Sequence, residues 1–176
     1  MRWAALLKGM NIGSKKLPVA ELRAVAEALG LESVGTLLAS GNVVFTSAEK
    51  SAARLERSLE EALAEEGLET HVLVRNASEI RKVIDANPFP AAAKTHPNHL
   101  LVVFHREPVP PAPLQALRIH HHGPERVTAV GRELYIDYPQ DVGHSKLPQS
   151  MRKAKFPELA TARNWNTVNK LAALLE

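Results

Sequence analysis

Residues able to hold or move charge fall into four short stretches of the chain. "KGMNIGSKK" (residues 8–16) offers Lys8, Asn11, Ser14 and Lys15 beside Gly9 and Gly13. "LASGNVVF" (38–45) offers Ser40 and Asn42, and "GHSKL" (143–147) offers Ser145 and Lys146. "ATARNWNT" (160–167) gathers Arg163, Asn164, Asn166 and Thr167 around Trp165. Ammonium and guanidinium groups supply charge, hydroxyls and amides supply hydrogen-bond donors, and glycine lets backbone N–H groups approach an anion. These side chains are the expected contacts of a phosphate-bearing or otherwise anionic small molecule.

Several familiar chemistries are absent. Only three residues separate Gly9 from Gly13, and Gly-Ser-Lys stands where a phosphate-binding loop of the Walker type has Gly-Lys-Ser. Ser145 and Lys146 are adjacent, so their side chains diverge, and no Gly-x-Ser-x-Gly elbow occurs. No catalytic residue is assigned. Asp137 and His144, in "LYIDYPQDVGHSKL" (134–147), are the acid–base candidates, because loops held by a strand end commonly carry such groups. The run His120-His121-His122 reads as an exposed extended segment with no carboxylate or cysteine at ligand spacing, so no metal and no cofactor is assigned.

The wider composition is that of a globular chain: 176 residues, 45% hydrophobic and 23% charged. There is no cysteine, which excludes disulfides and thiolate chemistry and suits a reducing compartment. No apolar run reaches a membrane-spanning length, and the expected location is cytoplasmic. The net charge of +3 is unevenly placed. Residues 1–23 carry five bases against Glu21, residues 141–170 carry six against Asp141 and Glu158, and residues 49–69 hold seven glutamates. Lys8 and Lys146 are expected to share a face and one anion, with the glutamates turned away from it.

Periodicity supplies the elements that position these groups. Residues 2–8 read as a buried strand, Pro18 to Leu29 as a helix stopped at Gly30, and 34–39 with 42–47 as a hairpin. Residues 49–66 form an amphipathic helix with Leu55, Leu59 and Leu63 inward and the glutamates outward, and 70–75 alternate as a strand. The second half offers a strand at 99–105, a hairpin turning at Gly131, a short basic helix and a last helix at 165–175. Between them "REPVPPAP" reads as a polyproline-like stretch suited to a protein partner. The expected fold is α+β and mainly antiparallel, with two ferredoxin-like βαββαβ subdomains in one compact domain. The lobes are expected at about 1–86 and 87–176, although no repeated residue pattern marks a duplication.

"ALLKGMNIG", "SGNVVF", "NPF", "GHSKL" and "ARNWNTV" occur in this order. Together they resemble the bacterial proteins grouped as domain of unknown function 1697. Lys8 stands where that family usually has arginine, which keeps the charge but loses the planar fork. The resemblance implies two ferredoxin-like subdomains and names no activity. Anion binding is the leading expectation. The alternatives are an enzyme acting on such a ligand, a protein-interaction module, and a nucleic-acid binder using Trp3, Phe45, Phe104, Tyr135 or Tyr138 for stacking.

Overall fold

A computed structural model describes residues 1–9, 17–37 and 41–176. Asn11, Ser14, Lys15 and Ser40 lie outside the described residues. The chain divides into two compact units, one of residues 1–82 with 169–176, the other of residues 83–168.

In the first unit β1 (Arg2–Leu7), α1 (Val19–Ala28), β2 (Glu32–Leu37), β3 (Asn42–Thr46), α2 (Ala52–Glu65) and β4 (Val72–Asn76) follow in order. The sheet runs β2-β3-β1-β4, with every pair antiparallel. That is the ferredoxin-like arrangement. Trp3, Ala5 and Leu7 of β1 alternate onto the same core as Val43 and Phe45 of β3 and Val72 and Val74 of β4. Leu22 and Ala26 of α1 and Leu55, Leu59 and Leu63 of α2 close that core. Each buried leucine, valine or phenylalanine among them contributes about 1.5–3 kcal/mol. Pro18 sits one residue before α1 rather than inside it. Gly30 follows the helix at φ 78°, a left-handed conformation that only glycine adopts without strain.

The glutamates of α2 do not all face solvent. Glu56 is buried and accepts the Val74 N–H at 3.0 Å, and Glu60 accepts the Val72 N–H at 2.9 Å. β4 is an edge strand, and such strands leave a row of N–H groups open to other chains. Two carboxylates one helical turn apart cover that edge, which periodicity alone cannot distinguish from a solvated face. Glu61 is exposed.

A helix, α3 (Ala77–Asp85), follows β4, and α4 (Pro90–Thr95) with a 3-10 turn at Pro97–His99 leads into the second sheet. There β5 (Leu100–His105), α5 (Pro111–His120), β6 (Arg126–Val130), β7 (Glu133–Asp137), α6 (Leu147–Lys153) and β8 (Ala160–Asn164) repeat the order of the first unit. The sheet runs β6-β7-β5-β8, again antiparallel throughout. Leu134, Ile136 and Tyr138 pack with Leu117 of α5 and Leu147 of α6. The last helix, α7 (Trp165–Leu175), follows β8 directly.

Two elements depart from the sequence reading. The proline-rich stretch does not continue as an extended segment, because Pro111 opens α5. Prolines in the first helical turn cost no hydrogen bond, since those N–H groups have no intrahelical acceptor. The histidine run is therefore not extended throughout: His120 ends α5, and His121 follows it with extended backbone. Residues 160–164, which lack strand-like alternation, form β8 by pairing with β5.

The duplication does leave a residue signature, at the junction of last strand and following helix. Arg75-Asn76 precedes α3 and Arg163-Asn164 precedes α7. Asn76 accepts the Glu79 N–H and Asn164 accepts the Thr167 N–H, both at 2.9 Å. Each is an N-cap satisfying a donor that has no partner within its helix. Each arginine is buried and donates to the carbonyl before it, Arg75 to Val74 and Arg163 to Ala162.

Candidate functional site

The site is assembled where two loops of the second unit meet. One is the turn from α5 into β6, residues 121–125, and the other runs from β7 to α6, residues 138–146. Glu125 joins them. Its carboxylate accepts the Ser145 hydroxyl and stands 2.9 Å from His121 Nε2, and its side chain is only 8% exposed. Burial pushes the Glu125 carboxyl up, but the bonds from Ser145 and His121 outweigh it and hold the group below its ordinary value. Ser145 also accepts the Leu147 N–H at 3.1 Å, so one hydroxyl braces Glu125 and the start of α6. Gly123 permits the close approach, since a β-carbon there would stand 2.4 Å from Glu125 Oε2 and 2.8 Å from the His121 ring.

Above this brace lies a cavity of about 520 Å³, lined by Ser145, Lys146, His144 and Asp141 together with the histidine run. His144 and Asp141 are hydrogen-bonded to each other, and Asp141 Oδ1 also accepts the Gly143 N–H at 3.0 Å. The hydrogen bond it donates to Asp141 raises the His144 imidazole above its ordinary value, and the same bond lowers Asp141. The cavity thus combines a lysine ammonium and imidazole donors with two carboxylates that each already accept two hydrogen bonds. Such a surface can hold an anion. Among the described residues, no group of histidines and carboxylates is arranged to hold a metal ion.

The other sequence candidates are distributed differently. Lys8 belongs to the first unit, half-buried, with its N–H on the His71 carbonyl at 2.9 Å and its own carbonyl accepting the Thr70 hydroxyl. Asn42 is 1% exposed, and its amide donates to the Leu37 carbonyl at 3.1 Å, locking the β2–β3 hairpin. Arg163 lies within β8 and donates to Thr161 Oγ1 at 2.7 Å as well as to Ala162. Burial lowers its guanidinium to about 10, which leaves it charged at neutral pH. Asn164 is the cap already described, Asn166 is exposed, and Thr167 is buried.

Asp137, one of the two acid–base candidates, is committed elsewhere. Its carboxylate takes Nε and Nη2 of Arg126 at 3.1 and 2.6 Å on one oxygen, and His96 Nε2 at 2.6 Å on the other. Burial raises it, but His96 and Arg126 together hold it below the ordinary carboxylate range. It ties the turn after α4 to the β6–β7 hairpin. Tyr135 is equally committed, donating to the Val83 carbonyl at 2.7 Å. Trp3, Phe45, Phe104, Tyr135 and Tyr138 are all buried, so none is available to stack a base on either sheet.

The fold and site define an α+β protein of two ferredoxin-like units with a braced, histidine-lined cavity in the second. The chain belongs to the family described as protein of unknown function (DUF1697), whose profile matches residues 1–135. That match includes the histidine run and Glu125 and ends before Ser145 and Lys146. Among solved structures, the chain is similar to the conserved bacterial protein SP0830 from Streptococcus pneumoniae, at 25% identity and a TM-score of 0.76. The likeness covers 99% of this chain and 98% of that one. No curated protein matches the chain in sequence. Among the described residues no helix is long and apolar enough to cross a membrane.

Proposed function

We propose that this protein binds a phosphate-bearing or otherwise anionic small molecule in the cavity of its second unit. The observation that carries the reading is the convergence of Lys146 and His144 on one cavity whose two carboxylates are already hydrogen-bonded. An entering anion meets N–H donors and one ammonium, and the two carboxylates beside it each already accept two hydrogen bonds. Charge-assisted hydrogen bonds of this kind contribute roughly 1.5–3 kcal/mol each. A thermal-shift screen of the full chain against inorganic phosphate, sugar phosphates and nucleotides tests it. Binding is expected to raise the melting temperature of the wild type and to do so far less for Lys146→Ala. An equal shift in both proteins would refute the site.

A second reading, an enzyme acting on that ligand, is favoured by the bonded His144–Asp141 pair at the cavity. An imidazole oriented by a carboxylate is the usual general base. If turnover of any phosphate ester is found, its rate should follow the His144 titration and be lost in His144→Gln, whose binding weakens only at pH below that titration.

A further inference from the structure

The cavity is larger than a phosphate group needs, and the rest of its lining is of a different kind. Its volume of about 520 Å³ falls among pockets of roughly 300–1,000 Å³ that enclose whole small molecules. Beyond Ser145, Lys146 and His144 it is lined by His120, His122, Pro124 and Gln140. All four are exposed, and none takes part in the bonded chain from His121 through Glu125 to Ser145. Imidazole rings present a flat π-face on which a nucleobase stacks. A glutamine amide has both the donor and the acceptor needed at a base edge.

We infer that the anion's carrier is a nucleotide, an inference that rests on the anion-binding reading. The phosphate lies at Lys146 and His144, the base lies on His120 and His122, and Gln140 reads its edge. The burial of every aromatic on the two sheets makes this histidine surface, and not a sheet face, the place for a base.

Titration calorimetry of the full chain with three probes tests the inference: inorganic phosphate, ribose 5-phosphate and adenosine 5′-monophosphate. The nucleotide is expected to bind at least tenfold more tightly than ribose 5-phosphate, in line with the stacking of one base. The double variant His120→Ala/His122→Ala should abolish that difference and leave the ribose 5-phosphate affinity unchanged. Both positions are exposed, so the fold should be retained. If the nucleotide and the sugar phosphate bind equally, and both weaken in Lys146→Ala, the nucleotide inference is overturned while the anion site stands. If the double variant leaves the nucleotide advantage intact, the base is not on the histidines and the inference fails. If none of the three probes binds, the anion reading and this inference fail together.

Discussion

Ser145 donates its hydroxyl to Glu125, twenty positions earlier in the chain, and this one bond holds the β7–α6 loop against the turn that leads into β6. Gly123 is the weak point of the arrangement. In Gly123→Ala the new methyl would meet Glu125 Oε2 and the His121 ring, so both side chains must move. The expected outcome is a stability loss of about 1 kcal/mol by chemical denaturation, with ligand affinity falling tenfold or more. Undiminished affinity would show that the Glu125 brace does not shape the site.

Asp137 should behave as a structural carboxylate. Asp137→Asn leaves Arg126 and His96 without a charge to bond, and because the Arg126 side chain is more than half exposed and can turn to water, the loss should be about 1–3 kcal/mol. The sign with pH follows from the lowered carboxyl. Its contribution is complete above the unfolded value of about 3.9 and is lost as pH falls through the lower folded value. Urea melts at several pH values should therefore show wild type and variant converging in acid. A variant of wild-type stability but reduced activity would instead place Asp137 in the chemistry.

His144 offers a direct reading of its partner. Because Asp141 raises it, its imidazole should titrate above 6.5 by NMR, and Asp141→Asn should return it toward 6.5. The pair's contribution is lost upward as pH rises through the His144 folded value, and downward as pH falls through that of Asp141. Anion affinity should rise as pH falls through the His144 titration, and His144→Gln should flatten that rise. An unperturbed His144 would remove the pair from the account.

The covered edge of β4 separates neighbouring glutamates. Glu56→Ala strands the Val74 N–H and should cost about 1–3 kcal/mol, whereas Glu56→Gln keeps an acceptor and should cost less. Glu61→Gln, on the exposed side, should stay within about 0.5 kcal/mol. Equal losses at 56 and 61, measured by thermal unfolding, would contradict the edge assignment.

The first unit was legible because its signals are local. Alternation in "THVLVR", the leucines at 55, 59 and 63, and the glycine after α1 each report one element from within it. The second unit hid two elements for physical reasons. Prolines usually forbid a helix but are harmless in its first turn, where α5 carries Pro111 and Pro113. β8 owes its form to pairing with β5, which its own residues do not announce. Asn164 caps α7 by accepting the Thr167 N–H, a role open to an asparagine at any helix mouth. The Glu125–Ser145 brace was not readable, because a whole hairpin separates its partners and neither residue is unusual in its own stretch. The histidine run reads as surface and is exposed at His120 and His122, and the end of α5 sets it beside Lys146 on one cavity.

The most direct test of the central claim is calorimetric titration of a phosphate-bearing ligand into the wild type and into Lys146→Ala. The account expects saturable one-site binding in the wild type. It expects a loss of tenfold or more in the variant, which is at least about 1.4 kcal/mol, with the two free proteins unfolding at the same temperature. Equal affinity in the two proteins would contradict an anion site at Lys146.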